Sequence, residues 1–299
     1  MTTDSSAHVP VMLNEVVEYL KPQAGQVFVD ATVGLAGHAK AVMSSLGPQG
    51  RLVAIDRDEG SLKLAQENLK EFSDQCEWVH DDYRNREKIL ENLKLTQVNG
   101  ILLDLGVSSF QLDNPERGFS LRLKGPLDMR MDQRDSLRAA DLIDSLSEED
   151  LAQILKEFGE ERWSKRIAHR LVLERSKKTL KTTEDLVEII LKAMPHQYSR
   201  ERIHPATRTF QAIRIAVNKE LEGLQQVLNS CAELLVKGGR MGVIAFHSLE
   251  DRIVKQKFRE EAKNGRFKLI TKKPLRPTLE EIKNNPRARS ARFRVAERI

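Results

Sequence analysis

Three carboxylates stand at the ends of three short apolar runs: Val-Phe-Val-Asp30, Val-Ala-Ile-Asp56 and Leu-Leu-Asp104. Runs of this kind read as strands buried on both faces, as in a parallel sheet. In an open α/β sheet ligands bind beyond the carboxyl ends of the strands, so acids at three such ends define one crevice. After the first run comes Gly34-Leu-Ala-Gly37-His38, which opens a helical pattern. Glycines there let the backbone approach a ligand, and the first amides of the helix stand unpaired. Taken alone, such a turn reads first as a plain loop. Asp56 lies 19 positions beyond Gly37, near the roughly 20-residue spacing at which an acid accepts ribose hydroxyls. The sequence Asp56-Arg57-Asp58 disfavours a phosphate on that ribose. Tyr83, past the third strand, is placed either to stack on a flat ring or to pack as an ordinary half-buried tyrosine.

The elements that must position these groups follow from periodicity. Strands are predicted at the first run, at 51–56, 77–80 and 100–105, with helices over 39–46, 61–72 and 87–95 between them. This is a doubly wound half-sheet. From about Gln111 to His204 the alternation stops. Ser147 opens a helix with Asp150 at the capping-box position and Leu151, Ile154, Leu155 and Phe158 at helical spacing. Further helices are predicted over 161–175 and 183–193. The chain thus divides into a core segment 1–110, an inserted all-helical domain 111–204, and a resumed core 205–299. The last segment holds one long helix or two, a strand over 240–246 and a helix over 250–262. It ends in a hairpin of 267–272 and 291–297 joined by a Pro-rich basic loop.

Composition narrows the class. The 299 residues exceed a usual single domain and carry a net charge of +5. From Asp251 to Ile299 there are 16 Lys and Arg against 6 Asp and Glu, a basic end on a mildly acidic body. Such an end suits a polyanion, or is a solvated charged surface. Cys76 and Cys231 form neither a disulfide framework nor a metal-ligand cluster, so no metal is expected. The N-terminus lacks the regions of a signal peptide, and no apolar run reaches the roughly 20 residues of a membrane helix. A reduced, cytoplasmic protein is expected.

The terminal hairpin discriminates between nucleotide-binding folds by analogy. Methyltransferases using S-adenosylmethionine carry one on a Rossmann-like sheet, whereas nicotinamide dehydrogenases usually do not. The glycine turn also lacks the three-glycine dinucleotide fingerprint, which disfavours the oxidoreductase alternative. A pyrimidine-carbon acceptor would require a cysteine nucleophile, and neither cysteine lies in a strand-end loop of the site. A nitrogen or oxygen acceptor is therefore expected, with in-line geometry and electrostatics supplying most of the catalysis. Asp104, Ser108 and Ser109 are the candidates for orienting such a group. The alternative gives Asp104 to the cofactor alone and the serines to turn hydrogen bonds.

Four longer segments carry a resemblance: Gly125-Pro-Leu-Asp-Met-Arg-Met-Asp132, His204-Pro-Ala-Thr-Arg-Thr-Phe-Gln-Ala-Ile-Arg214, Phe246-His-Ser-Leu-Glu-Asp-Arg-Ile-Val254 and Asn285-Pro-Arg-Ala-Arg-Ser290. From His8 to the C-terminus the chain resembles the RsmH (MraW) family. That resemblance implies a Rossmann-like class I fold and methyl transfer from S-adenosylmethionine to the exocyclic amine of a cytosine in the decoding region of 16S ribosomal RNA, without a covalent enzyme intermediate. It places the cofactor contacts at Ala36, Gly37, His38, Asp56, Tyr83, Asp104 and Gln111, beside Gly34 from the turn itself. His38 is either a ligand or a structural helix-start residue. The family turn is usually Gly-Gly-His, so Ala36 is a departure; Leu35 replaces a common Arg, and Tyr83 a common Phe. A left-handed angle at Ala36 would cost about 1 kcal/mol or more, so an ordinary angle is expected there. Asp128 and Asp132 either approach the base or belong to a loop whose Met129 and Met131 pack on the insert. Arg208, Arg214, Arg287 and Arg289 are candidates for RNA phosphate contacts, together with Arg292; singly, each also reads as a surface ion pair. The target cytosine must be exposed or flipped.

Overall fold

A computed structural model describes residues 9–195 and 203–299. His8 and residues 196–202 of the expected insert lie outside them. The chain forms two compact units, the described part of Met1–Ser108 with Leu221–Ile299, and Ser109–Glu220.

The first unit is built on one seven-stranded sheet. Its strands are β1 (Val27–Asp30), β2 (Arg51–Asp56), β3 (Cys76–His80), β4 (Val98–Asp104), β5 (Leu235–Ala245), β6 (Phe267–Leu269) and β7 (Arg292–Arg298), in the order β3-β2-β1-β4-β5-β7-β6. The pairs among β1 to β5 are parallel, and β7 runs antiparallel to both β5 and β6. The expected terminal hairpin is therefore present. Its connection, predicted as loop, contains a short helix (Leu279–Asn284) and a 3₁₀ turn (Pro286–Ser290). The apolar runs are continuous because both faces are covered. Leu52 and Ala54 enter one core cluster with Val16, Val42 and Leu62, while Val53 and Ile55 enter another with Leu90, Leu224 and Phe258. Alternation along the strand sends neighbours to opposite layers.

In chain order the helices of this unit are α1 (Leu13–Leu20), α2 (Gly37–Leu46), α3 (Glu59–Asn68) and α4 (Arg86–Asn92), all before the insert. Among the described residues the regular elements of the second unit are helical, with α5 (Ser109–Asp113), α6 (Ala139–Ser145), α7 (Glu148–Gly159), α8 (Ser164–Arg175), α9 (Thr183–Ala193) and α10 (Thr207–Asn218). Then follow α11 (Glu220–Asn229), α12 (Ser248–Lys263) and α13, the short helix just named. The Ser147 cap forms as its spacing predicts: its Oγ accepts the Asp150 N–H at 3.1 Å. Thr182 and Asp185 form a reciprocal capping box at the start of α9.

Residues 205–220, which the sequence assigns to the resumed core, lie in the second unit instead. The reason is packing: Gln211 Nε2 donates to the Phe158 carbonyl at 2.9 Å, and Gly159 lies so close to α10 that a Cβ there would be 2.6 Å from the Arg208 carbonyl. The strand predicted from Arg240 begins at Leu235, with a register shift against β4 between Val98 and Gly100.

Candidate functional site

Parallel register brings the strand ends to one edge of the sheet. Asp30 pairs with Ala54 and Leu102, Asp56 with His80, and Asp104 with Ile244. The three acids then do different things. Asp30 is buried, and its Oδ1 accepts the Thr32 N–H at 3.2 Å, which shapes the turn after β1. Thr32 in turn accepts the Asp104 N–H at 2.7 Å on Oγ1. Asp56 accepts the Gly34 N–H on Oδ2 at 2.8 Å and the Asp58 N–H on Oδ1 at 2.9 Å. Each oxygen of Asp56 thereby keeps a lone pair for a hydroxyl donor. Asp104 Oδ1 is buried with no hydrogen-bond partner. A buried acceptor left in this state costs free energy that a donor brought by a ligand, or a proton, recovers.

The glycine turn holds a correction. An ordinary angle is expected at Ala36, but the residue sits at φ 65° and ψ 22°, as the N-cap of α2. Closing the turn requires it: the Ala36 N–H reaches the Val33 carbonyl at 2.7 Å, and the residue is buried. Gly34 has φ 52°. Gly37 has a different reason, since a Cβ there would lie 2.3 Å from Pro10 Cγ.

His38 is buried, its Nε2 donates to the Val11 carbonyl at 2.8 Å, and its Nδ1 faces Asp104 Oδ2 at 3.6 Å. Burial sets the electrostatics of this group. It pushes Asp30 up to about 7, partly offset by the neighbouring His38, and Asp104 up to about 7 with a further push from Glu250. Asp56 is raised to about 6 by burial, against the N–H donors of Asp58 and Gly34. His38 is lowered from the ordinary imidazole value, chiefly by burial. Near neutral pH the cluster therefore holds protons that free carboxylates would have lost.

Of the other candidates, Tyr83 is a core side chain, 6% exposed and packed with Val53, Ile55 and Leu224. The Ser108 Oγ lies 3.3 Å from the Ser61 Oγ. Ser109 and Gln111 fall in the second unit, both buried in α5. In that unit Asp128 is gripped by Arg130 at 2.8 and 2.7 Å and Asp132 by Arg134 at 2.9 and 2.6 Å. Met129 and Met131 are buried beside them. Arg214 forms a two-pronged pair with the buried Glu220 at 2.8 and 2.9 Å, so its guanidinium serves the fold. Arg208, Arg287 and Arg289 are exposed. Arg292 and Arg294 both reach Asp251, at 3.5 and 2.6 Å.

Sequence reasoning missed Thr32 and the group beyond β3, where buried Asp82 pairs with Arg84 at 2.9 Å and Arg57 at 3.5 Å. The strand-end acid pattern that singles out Asp30 applies to Asp82 as well. It is obscured because β3, Cys76-Glu77-Trp78-Val79-His80, is only half-buried. Among the described residues no group of His, Cys, Asp or Glu is arranged to hold a metal, and no helix is long and apolar enough to cross a membrane.

Both thiols are removed from nucleophilic chemistry. Burial pushes Cys231 up to about 12 and Cys76 up to about 11, so neither is a thiolate at neutral pH. What remains is a carboxylate-rimmed edge with spare acceptor capacity, on a sheet whose strand order places an antiparallel β7 beside β5. The chain is 48% identical to a protein of Thermotoga neapolitana, over 98% of this chain and 96% of the other. It is 46% identical to one of Syntrophotalea carbinolica over the full length of both, and 46% identical to one of Halothermothrix orenii over 98% of each. All three bear the name Ribosomal RNA small subunit methyltransferase H. The model of the MraW methylase family matches residues 5–299, and with every signature segment inside that span the chain belongs to this family.

Proposed function

We propose that this protein transfers a methyl group from S-adenosylmethionine to the exocyclic amine of a cytosine in the decoding region of 16S ribosomal RNA. The transfer is direct and in line, with no covalent enzyme intermediate, and the setting is cytoplasmic. The observation that carries the reading is the near-full-length identity of 46–48% with relatives named as small-subunit ribosomal RNA methyltransferases. The cofactor, when bound, supplies an electrophilic methyl on a sulfonium.

The chain's own groups fit that cofactor. Asp56 offers two acceptor oxygens to the ribose hydroxyls, and the turn of Gly34, Ala36, Gly37 and His38 offers backbone that approaches closely. Asp104 contributes the unsatisfied carboxylate oxygen. The nucleophile's lone pair is delocalised into the cytosine ring, so an acceptor for an amine proton raises its reactivity as the bond forms. Asp104 takes that role here, with Ser108 and Ser109 beside it in sequence. The exposed Arg208, Arg287 and Arg289 hold RNA phosphates, since placing a flexible loop of RNA takes several weak backbone contacts.

The test is methyl transfer from a tritium-labelled donor to small ribosomal subunits lacking the mark. Label in the RNA as N4-methylcytosine is the expected result. No label under conditions in which the protein binds the donor overturns the reading. The variant Asp56→Ala separates this enzyme from a noncatalytic assembly factor. It loses methylation while keeping RNA binding, whereas an assembly factor has no methylation to lose.

A further inference from the structure

His38 stands between a fixed anchor and a carboxylate with capacity to spare. The anchor is the segment 9–12, which is clamped from two sides. Pro10 packs into the space left by Gly37, the Met12 N–H donates to Glu281 Oε1 at 2.6 Å, and Asn285 Nδ2 donates to the Val9 carbonyl at 2.9 Å. Between those ties the Val11 carbonyl takes the His38 Nε2–H at 2.8 Å. That bond fixes which ring nitrogen carries a hydrogen: a carbonyl only accepts, so Nε2 is protonated. Nδ1 therefore meets Asp104 Oδ2, 3.6 Å away, either as a lone pair or as the second N–H of an imidazolium. Two lone pairs facing one another at this distance inside the protein repel. One proton on the ring converts the repulsion into a hold, as an ion pair of imidazolium with carboxylate.

We propose that His38 is the positioning residue for Asp104, its protonated ring holding Oδ2 as an ion pair across the 3.6 Å between Nδ1 and Oδ2 and so fixing how the rest of the carboxylate meets the bound ligand. The proposal deepens the function given above and rests on it. The proton rests on the ring, so no bond to carbon changes and no co-reactant is needed. The groups facing the pair are Asp30 at the end of β1, Glu250 on α12 and Glu281 on α13, all acidic. Their field favours retention of that proton. The motif Asn285-Pro-Arg-Ala-Arg thereby acquires a structural task beyond its charge, because Asn285 secures the segment that sets the histidine's tautomer.

Two substitutions split the histidine's two bonds. In His38→Asn the short amide stands where Nδ1 stood, keeping a group toward Asp104 and losing Val11. In His38→Gln the longer amide reaches the Nε2 position, keeping Val11 and losing Asp104. The expected result is that kcat for methylation falls by about tenfold or more in His38→Gln, with KM for the ribosomal subunit little changed, while His38→Asn recovers most of it. A helix-start role gives the reverse order, since only the bond to Val11 would matter, and a kcat of His38→Gln equal to or above that of His38→Asn overturns the proposal.

Should either variant fail to fold, ¹⁵N imidazole NMR of the otherwise unaltered chain decides. The His38 Nε2 resonance must be that of a protonated nitrogen, and the Nδ1 resonance must shift on Asp104→Asn. An Nδ1 resonance indifferent to Asp104→Asn overturns the proposal. If the unaltered protein methylates no RNA while Nδ1 still responds to Asp104, the functional reading fails and the pairing of the two residues stands.

Discussion

The ring of Pro10 occupies the place where a side chain at residue 37 would begin, with Cγ 2.3 Å from the position a Cβ would take. The glycine that looks from sequence like an opening for a ligand is thus also a packing requirement of the chain itself. Gly37→Ala must displace Pro10, and forcing an extra carbon into a packed site costs about 1–3 kcal/mol. Urea denaturation is expected to show that loss. Introducing the change into a Pro10→Ala background should return most of it, because the two residues are coupled. An additive double mutant would show that the pair does not interact.

Ala36 stands in the left-handed region, where a residue with a Cβ is strained by about 1–2 kcal/mol. Glycine relieves that strain and loses about 0.5–1 kcal/mol through the freer unfolded chain. Ala36→Gly is therefore expected to stabilise by a few tenths to about 1 kcal/mol, raising the melting temperature by about 1–4 °C. A lowered melting temperature would contradict the angle.

Asp30 gives a pH dependence whose sign can be worked out. Its folded pKa, about 7, lies above the ordinary 3.8. Between those values the folded state binds more protons than the unfolded state, so stability falls as pH rises. The contribution is fully present below about pH 4 and is lost as pH rises through about 7. Asp30→Asn keeps an acceptor for the Thr32 N–H and removes the titration. It should melt above the parent at pH 8, with the gap closing toward pH 5. A pH-independent difference in thermal scans would refute this.

Arg214 and Arg208 share α10 but not a role. Arg214→Ala leaves Glu220 buried and unpaired, a loss of about 3–5 kcal/mol for such pairs. Circular dichroism melts should report it as destabilisation, with RNA affinity falling only through unfolding. Arg208→Ala, Arg287→Ala and Arg289→Ala should leave the melt in place. Each should weaken RNA binding and lower the slope of log K against log salt by about 1 if it meets a phosphate. A slope that does not change removes that arginine from the interface.

The parts legible in the sequence are those written in local signals. The uninterrupted runs ending in Asp30, Asp56 and Asp104 give their strands to within two residues, and the helix predicted over 183–193 has those bounds in the structure. Elements with weak local signals were not legible. Among these is α6, whose capping residue is Arg138, paired with Asp141 at 2.9 Å, rather than one of the usual short polar caps. Helix α1 lacks any side-chain cap. The placement of α10 depended on its contact with Gly159, a long-range fit that no periodicity encodes. At the site the acids were visible by type and spacing, but their states were not. What separates Asp30 and Asp104 from Asp56 is the neighbouring histidine ring on the one side and the two backbone N–H donors on the other, and the ring is brought there by residues far apart in the chain.

The protonated state of the two thiols has a practical consequence. Cys231 donates its S–H to the Leu228 carbonyl at 3.0 Å within the core, and Cys76 sits in β3 with its thiol held protonated. Maleimides and iodoacetamides react with thiolate, so both should stay nearly silent to them at neutral pH. A single cysteine introduced on the exposed 3₁₀ turn of Arg287 and Arg289 would then be the preferred point of attachment for a dye. The unaltered cysteine background is thus ready for fluorescence readings of whether the basic segment meets a ribosomal particle.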